Sequence, residues 1–219
     1  MKKIMFNDKC GLTQAVLDGR KTMTRRIVSE KLWDEWTDYD NLCCAVGVGG
    51  LAELGVDVTR QYSECEMFFL DNSPFKIGEV VAIAQSYENA GVHSIPCEDE
   101  EFGCYDFPAE QTNGWNNKMY VRADLMPNRI RITNVRVERL QDISDEDCMR
   151  EGIRQWTKDY TIFKFDMSEG FEIFKWIDKP RTPRSAYAAL IDKVSGKGTW
   201  DNNPYVFIYD FELIKTNEN

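Results

Sequence analysis

Two long stretches of alternating side chains place the strongest constraint on the fold. Residues 129–140 predict one strand, and their apolar positions change parity between Ile132 and Val135. A period of two is typical of a strand, and the change of parity predicts a β-bulge near Thr133. The second stretch, residues 205–213, alternates without interruption: Tyr205, Phe207, Tyr209, Phe211 and Leu213 against Val206, Ile208, Asp210 and Glu212.

The other elements are shorter and do not follow a strand–helix repeat. Apolar spacing and capping residues predict helices over residues 12–18, 144–152 and 182–196, and strands over 21–28, 80–84 and 118–123. Because helices do not follow each strand, a doubly wound sheet is disfavoured. The pattern favours an α+β fold built around a small mixed β-barrel with flanking helices.

The chain is predicted to be a single domain over residues 1–219 that carries long insertions. Its 219 residues are 42% apolar, which is enough for one core. Three segments fall outside the pattern and are interpreted as insertions: 29–73, with a short helical piece at its two tryptophans and a glycine-rich loop; 86–117, which is loop-like and acidic; and 155–179, which is rich in aromatic residues.

Composition excludes several classes of function. A formal net charge of −10 disfavours sequence-independent binding of duplex DNA, which depends on neutralising phosphates. The sequence contains neither a signal-peptide pattern nor an apolar run of about 20 residues, so no membrane association is expected. Seven irregularly spaced cysteines predict reduced thiols and a cytoplasmic location. His93, Cys97 and Cys104 lack the paired spacing of a zinc site, and no metal or cofactor is predicted.

Positive charge is concentrated in one short run of this acidic chain. Residues 19–26 hold four cations together with two threonine hydroxyls and contain no acid. Such a run is suited to binding an anion. In a regular strand Lys21 and Thr24 would face opposite sides, so they converge only if Lys21 lies in the turn after Gly19. Arg25 and Arg26 either bind phosphate bidentately or form ion pairs on the surface.

This run carries a resemblance to a known family. The pattern Gly19-x-Lys21-x-x-Thr24-x-Arg26 resembles the signature of the ASCH family, whose members have a PUA-like β-barrel fold. The similarity is greatest to the long branch found in phages and prophages and covers about half of the chain. It continues in IGEVV at 77–81, RITNVRVERLQDI at 131–143, EGI at 151–153, and Trp200 with NPYV at 203–206.

The resemblance implies two functions. ASCH domains are regarded as RNA-binding modules, which implies RNA, a nucleotide or a modified nucleoside as the ligand of a basic pocket. A small bacterial amidohydrolase of the family deacetylates N(4)-acetylcytidine with a lysine, a threonine and a glutamate. These roles fall here on Lys21 as base, Thr24 as nucleophile and Glu151 as the stabilising or orienting group. A third alternative is a phage accessory protein whose insertions bind a protein partner and which has no active pocket.

The chemistry of these residues leaves alternatives open. A lysine acts as a base only when neutral, which burial and neighbouring arginines favour and Glu151 opposes. Lys21 is otherwise a solvated cation, Thr24 a plain strand residue and Glu151 an exposed acid at a helix end. Further ligand-binding candidates are of two kinds, cations and aromatic rings that either stack on a base or pack in the core: Arg20, Arg25, Arg26, Trp200 and Tyr205.

Overall fold

A five-stranded mixed sheet forms the centre of the computed structural model, which describes residues 1–55, 62, 64–97, 105–155, 163–165 and 180–214. The strands are β1 Lys3–Ile4, β2 Met23–Ile27, β3 Val80–Ile83, β4 Ser94–Ile95, β5 Phe107–Pro108, β6 Arg129–Arg139, β7 Ile153–Gln155, β8 Phe163–Phe165 and β9 Tyr205–Ile214. The order of the central sheet is β1-β3-β6-β9-β2, with β1 parallel to β3 and the other neighbours antiparallel. Two small sheets pair β4 with β5 and β7 with β8.

The two long strands pair with each other along almost their whole length. Ile132 lies opposite Phe211 and Asn134 opposite Asp210, so Thr133 is the extra residue of a bulge. The predicted change of parity is thereby confirmed. Because of it, the apolar residues on both sides of Thr133 fall on one face of the sheet, which we call the core face.

The prediction of an α+β fold is confirmed, but the barrel is not closed in the described residues. β1 and β2 are the two edges of the sheet and do not pair with each other. β1 is only two residues long, which is too short to continue a ladder along β2. The two edges are instead connected by a side chain, since Arg26 of β2 donates a hydrogen bond to the carbonyl of Met5, just after β1.

The predicted helices are present, with caps that the sequence indicated. The side chain of Ser144 accepts a hydrogen bond from the amide of Asp147, and Thr182 forms a capping box with Ser185 at the start of a proline-initiated helix. The helices are α1 Leu12–Leu17, α2 Glu30–Glu53, α3 Cys65–Asp71, α4 Tyr87–Ala90, α5 Asp145–Arg150, α6 Pro183–Ser195 and α7 Thr199–Asn202.

Several local predictions are wrong. The segment predicted as a strand over 118–123 contains a 3-10 helix, Lys118–Tyr120, because the side chain of Asn117 caps the amide of Met119. Segment 29–73 is largely helical: α2 continues through the predicted loop, with a kink at Gly47 (φ 66°). Trp33 from α2 stacks on Tyr205, with ring centroids 5.9 Å apart, so α2 packs against the sheet.

The other two predicted insertions are described in part. Within 86–117 the chain forms α4, β4 and β5 rather than loop alone, and the acidic run at 98–101 lies outside the described residues. Segment 155–179 is described only at residue 155 and at β8. Among the described helices, none combines the length and apolar character that crossing a bilayer requires.

The prediction that all seven cysteines are reduced is wrong for Cys97, which is disulfide-bonded. Among the residues that the structure describes, five cysteines are free: Cys10, Cys43, Cys44, Cys65 and Cys148.

Candidate functional site

The turn after α1 separates Lys21 from the strand that follows it. Gly19 has the left-handed conformation (φ 73°), which lets the chain reverse direction. The amides of Arg20 and Lys21 then both donate to the carbonyl of Ala15, at 2.9 Å each. β2 begins only at Met23, so Lys21 precedes the strand and its side chain need not follow the alternation of β2. Lys21 therefore lies in the turn after Gly19, the placement that convergence of Lys21 with Thr24 requires.

Glu151 reaches the same place from the other half of the chain. It terminates α5 and donates its amide to the carbonyl of Asp147. The ammonium of Lys21 donates to the Oε2 atom of Glu151 at 2.5 Å and to its carbonyl at 2.9 Å. Lys21 and Glu151 are only 2% and 3% exposed. The alternative interpretations, that Lys21 is a solvated cation and that Glu151 is an exposed acid, are therefore wrong.

Gly152 allows the backbone to turn directly after Glu151. Its φ of 103° is one that L-amino acids rarely adopt, although a Cβ there would have only ordinary contacts, the nearest at 3.6 Å to Leu12. We expect Gly152→Ala to lower the free energy of unfolding by about 1–2 kcal/mol through backbone strain alone. Chemical denaturation measures it. An unchanged or higher stability would show that this φ is not required.

Burial dominates the electrostatics of Lys21. Removal from water lowers the pKa of the Lys21 ammonium, Glu151 raises it, and the positive charges of Arg26 and Arg25 lower it further. The net direction is downward, despite a carboxylate in direct contact. Lys21 thus has the property that a lysine base needs, a neutral form that is easier to reach than in water.

Arg25 lies on the face of the sheet opposite the core face and joins an ionic network that is partly buried. Its guanidinium donates to Glu138 at 2.9 Å, to Asp147 at 3.1 Å and to Glu151 at 3.4 Å. Arg136 and Arg150 each pair with both Asp147 and Asp210. With Lys21 included, the network contains four cations and four carboxylates: Lys21, Arg25, Arg136 and Arg150 against Glu138, Asp147, Glu151 and Asp210.

Thr24 and Arg26 lie on the core face, opposite Tyr209 and Phe207 of β9. The ammonium of Lys21 lies 5.9 Å from the centroid of the Phe6 ring and the guanidinium of Arg26 lies 5.6 Å from it. Arg26 has no carboxylate partner in the described residues, and its buried Nε has no hydrogen bond. Thr24 is buried, and no described residue forms a hydrogen bond with its hydroxyl. We call Phe6, Lys21, Thr24, Arg26 and Glu151 the Lys21–Glu151 site.

Besides Arg25, three predicted ligand-binding residues lie outside this site. Arg20 pairs with Asp18 at 2.9 Å, near the surface. The ring of Tyr205 lies between Trp33 and Arg139, and its hydroxyl donates to Glu66. Trp200 packs edge-on against Tyr187, with centroids 6.3 Å apart. Of the two open alternatives for these aromatic residues, packing is what the structure shows.

The acids that balance the arginines were not among the residues predicted from the sequence. Asp210 is the clearest example, because it is an acid within an otherwise apolar strand and is only 8% exposed. Asp210 lies on the side of the sheet opposite Tyr209 and Phe211, where Arg150 of α5 pairs with it at 2.5 Å. A buried charge must be paired, so an acid in such a strand is a signal for a partner arginine.

The arrangement is chemically suited to proton transfer and to binding an electron-rich group. It combines a buried ammonium with lowered pKa, an unbonded hydroxyl and a cation without a counter-ion. A separate open cavity of about 560 Å³ lies around Lys3, Phe75 and Val121, and no predicted site residue lines it. Comparison with protein-family models, with curated proteins and with solved structures finds no match for this chain.

Proposed function

We propose that this chain is an ASCH-like protein that binds RNA, a nucleotide or a modified nucleoside in the Lys21–Glu151 site. The resemblance of its sequence signature supports this proposal, as does the convergence of the signature residues Lys21 and Arg26 with Glu151. We further propose that its sheet is a PUA-like barrel that is open between β1 and β2, where Arg26 and Met5 make contact.

One observation carries the proposal of a nucleotide-type ligand: Arg26 is a partly buried cation whose charge no carboxylate of the described residues neutralises. The neighbouring network is balanced, four charges against four, so Arg26 adds an excess positive charge next to Lys21. Its Nε is a buried donor without an acceptor, which is unfavourable unless a ligand or water satisfies it. A phosphate or a base carbonyl provides such an acceptor.

Binding of cytidine 5′-monophosphate, N(4)-acetylcytidine and a short single-stranded RNA tests this proposal. We expect Arg26→Gln to weaken binding of the preferred ligand about tenfold, because a charged hydrogen bond is lost. Arg131→Gln is the matched control, since Arg131 is an arginine of β6 whose side chain is 52% exposed and pairs loosely with Glu212. Isothermal titration calorimetry at two salt concentrations measures both variants. Equal weakening by both, or no binding by the wild type, would contradict the proposal.

A second candidate function is an amidohydrolase acting on an N(4)-acylated cytidine. The lowered pKa of Lys21 specifically favours it, because the base must be neutral. In this proposal Lys21 takes the proton of the Thr24 hydroxyl as its oxygen attacks the acyl carbonyl. The C–N bond then breaks, Lys21 returns the proton to the leaving amine, and water hydrolyses the threonine ester. Glu151 holds Lys21 in position through their hydrogen bond.

A further inference from the structure

Tyr187 is a buried residue, and the hydrogen-bonding capacity of its hydroxyl is unused. The residue is 2% exposed, and no described residue forms a hydrogen bond with its hydroxyl. Polar groups of buried residues usually have a hydrogen-bond partner, so a free hydroxyl on such a residue is available to a ligand or to water. Tyr87, which is equally buried, has the usual arrangement: its hydroxyl accepts a hydrogen bond from the amide of Arg122 at 3.0 Å.

The position of Tyr187 connects it with the Lys21–Glu151 site. It belongs to α6, which packs against both α5 and β7, and Glu151 lies between those two elements. The charges that act most strongly on its hydroxyl are those of Glu151 and Arg25. Its ring is held edge-on by Trp200, so the hydroxyl is presented from a fixed position.

The hydrogen bonds around Glu151 leave donors in excess. Its Oε2 atom accepts from Lys21 and its Oε1 atom accepts from Arg25, so each oxygen already has a cationic donor. The Nε atom of Arg25 is buried and unbonded, and it can only donate. An amino group entering here would meet a carboxylate that two cations already contact, whereas a carbonyl oxygen would meet unbonded donors.

We propose that the hydroxyl of Tyr187 donates a hydrogen bond to a carbonyl oxygen of the bound ligand, and that this contact makes the site prefer an acylated cytidine to cytidine itself. This inference rests on the proposed function of the Lys21–Glu151 site and specifies its ligand. Burial raises the pKa of the Tyr187 hydroxyl, and the charge of Glu151 adds to the effect, so the group stays protonated and able to donate.

The test compares Tyr187→Phe with Tyr87→Phe in the full chain. Calorimetry measures the Kd for N(4)-acetylcytidine and for cytidine, and chromatography records any conversion. We expect Tyr187→Phe to weaken binding of N(4)-acetylcytidine about tenfold and that of cytidine less than about twofold, so that the preference is lost. Tyr87→Phe leaves both values unchanged. Tyr187→Phe melts at or above the wild-type temperature, whereas Tyr87→Phe melts lower because it loses the bond from Arg122.

The other outcomes overturn the inference in distinguishable ways. If the wild type binds N(4)-acetylcytidine and Tyr187→Phe binds it equally well, Tyr187 is not a ligand contact, but the proposed function stands. The same holds if Tyr187→Phe weakens both ligands equally. A loss of melting temperature as large as that of Tyr87→Phe would show that the hydroxyl has a structural partner. Failure of the wild type to bind either nucleoside would overturn both proposals.

Discussion

Glu151→Ala is expected to lower the free energy of unfolding by about 3–5 kcal/mol at neutral pH, the range found when one partner of a buried ion pair is removed. The substitution leaves the ammonium of Lys21 with only a carbonyl acceptor and removes one of the three carboxylates around Arg25. Both cations stay buried. Equilibrium unfolding in urea measures the change.

Glu212→Ala is the control for the stability measurement. Glu212 also belongs to an ion pair, but its side chain is 59% exposed and lies 3.7 Å from Arg131. We expect its removal to change the free energy of unfolding by less than about 1 kcal/mol. The double variant Lys21→Met/Glu151→Leu removes both charges of the pair and is expected to recover part of the stability. Equal effects of Glu151→Ala and Glu212→Ala would show that the Lys21–Glu151 pair is not buried in solution.

The second large effect concerns catalysis. If the chain deacylates N(4)-acetylcytidine, Thr24→Val is expected to reduce kcat/KM by at least ~10³-fold, because it keeps the volume of the side chain and removes the nucleophile. Thr24→Ser keeps a hydroxyl and is expected to retain measurable turnover. Lys21→Arg keeps the positive charge next to Glu151 but cannot act as a base at any ordinary pH. Release of acetate measures all three variants, and melting temperatures exclude unfolding as the cause.

The dependence of the rate on pH follows from the state of Lys21. Only the neutral amine accepts a proton, so the rate is expected to rise with pH as the lysine deprotonates. Because burial lowers the pKa of Lys21, this rise lies below the range in which an exposed lysine titrates. Two results would contradict a role for Lys21 as base: a rate that falls with rising pH below the range in which an exposed lysine titrates, or full activity in Lys21→Arg.

The strands and helices with local signals could be predicted from the sequence. The alternation of residues 205–213, the parity change near Thr133 and the caps at Ser144 and Thr182 are all local, and each is present in the structure. α2 was predicted as a short piece because residues 46–50 have the composition of a loop. The helix nevertheless continues to Glu53, and Leu51 near its end is fully buried, a tertiary contact that local propensity does not indicate.

The residues of the candidate site could be predicted only within the segments that resemble the ASCH family. Lys21 and Glu151 are 130 positions apart, and no local pattern indicates that they touch at 2.5 Å. Long-range ionic partners such as Glu138 and Asp147 for Arg25 depend on which faces meet after folding. The sequence gives no signal for Tyr187, because an unbonded hydroxyl is apparent only once every neighbour has been placed.

Because of the single extra residue at Thr133, the charged side chains of β6 face solvent before the bulge and the ionic network after it. Before it, the odd-numbered arginines of β6 point to solvent, whereas after it the even-numbered Arg136 and Glu138 take over the side that meets Arg25. A strand of uniform phase would direct these charges into the apolar interior and would leave the buried guanidinium of Arg25 without Glu138. The electroneutrality of the interior beside β2 therefore depends on a one-residue offset in the backbone of a different strand.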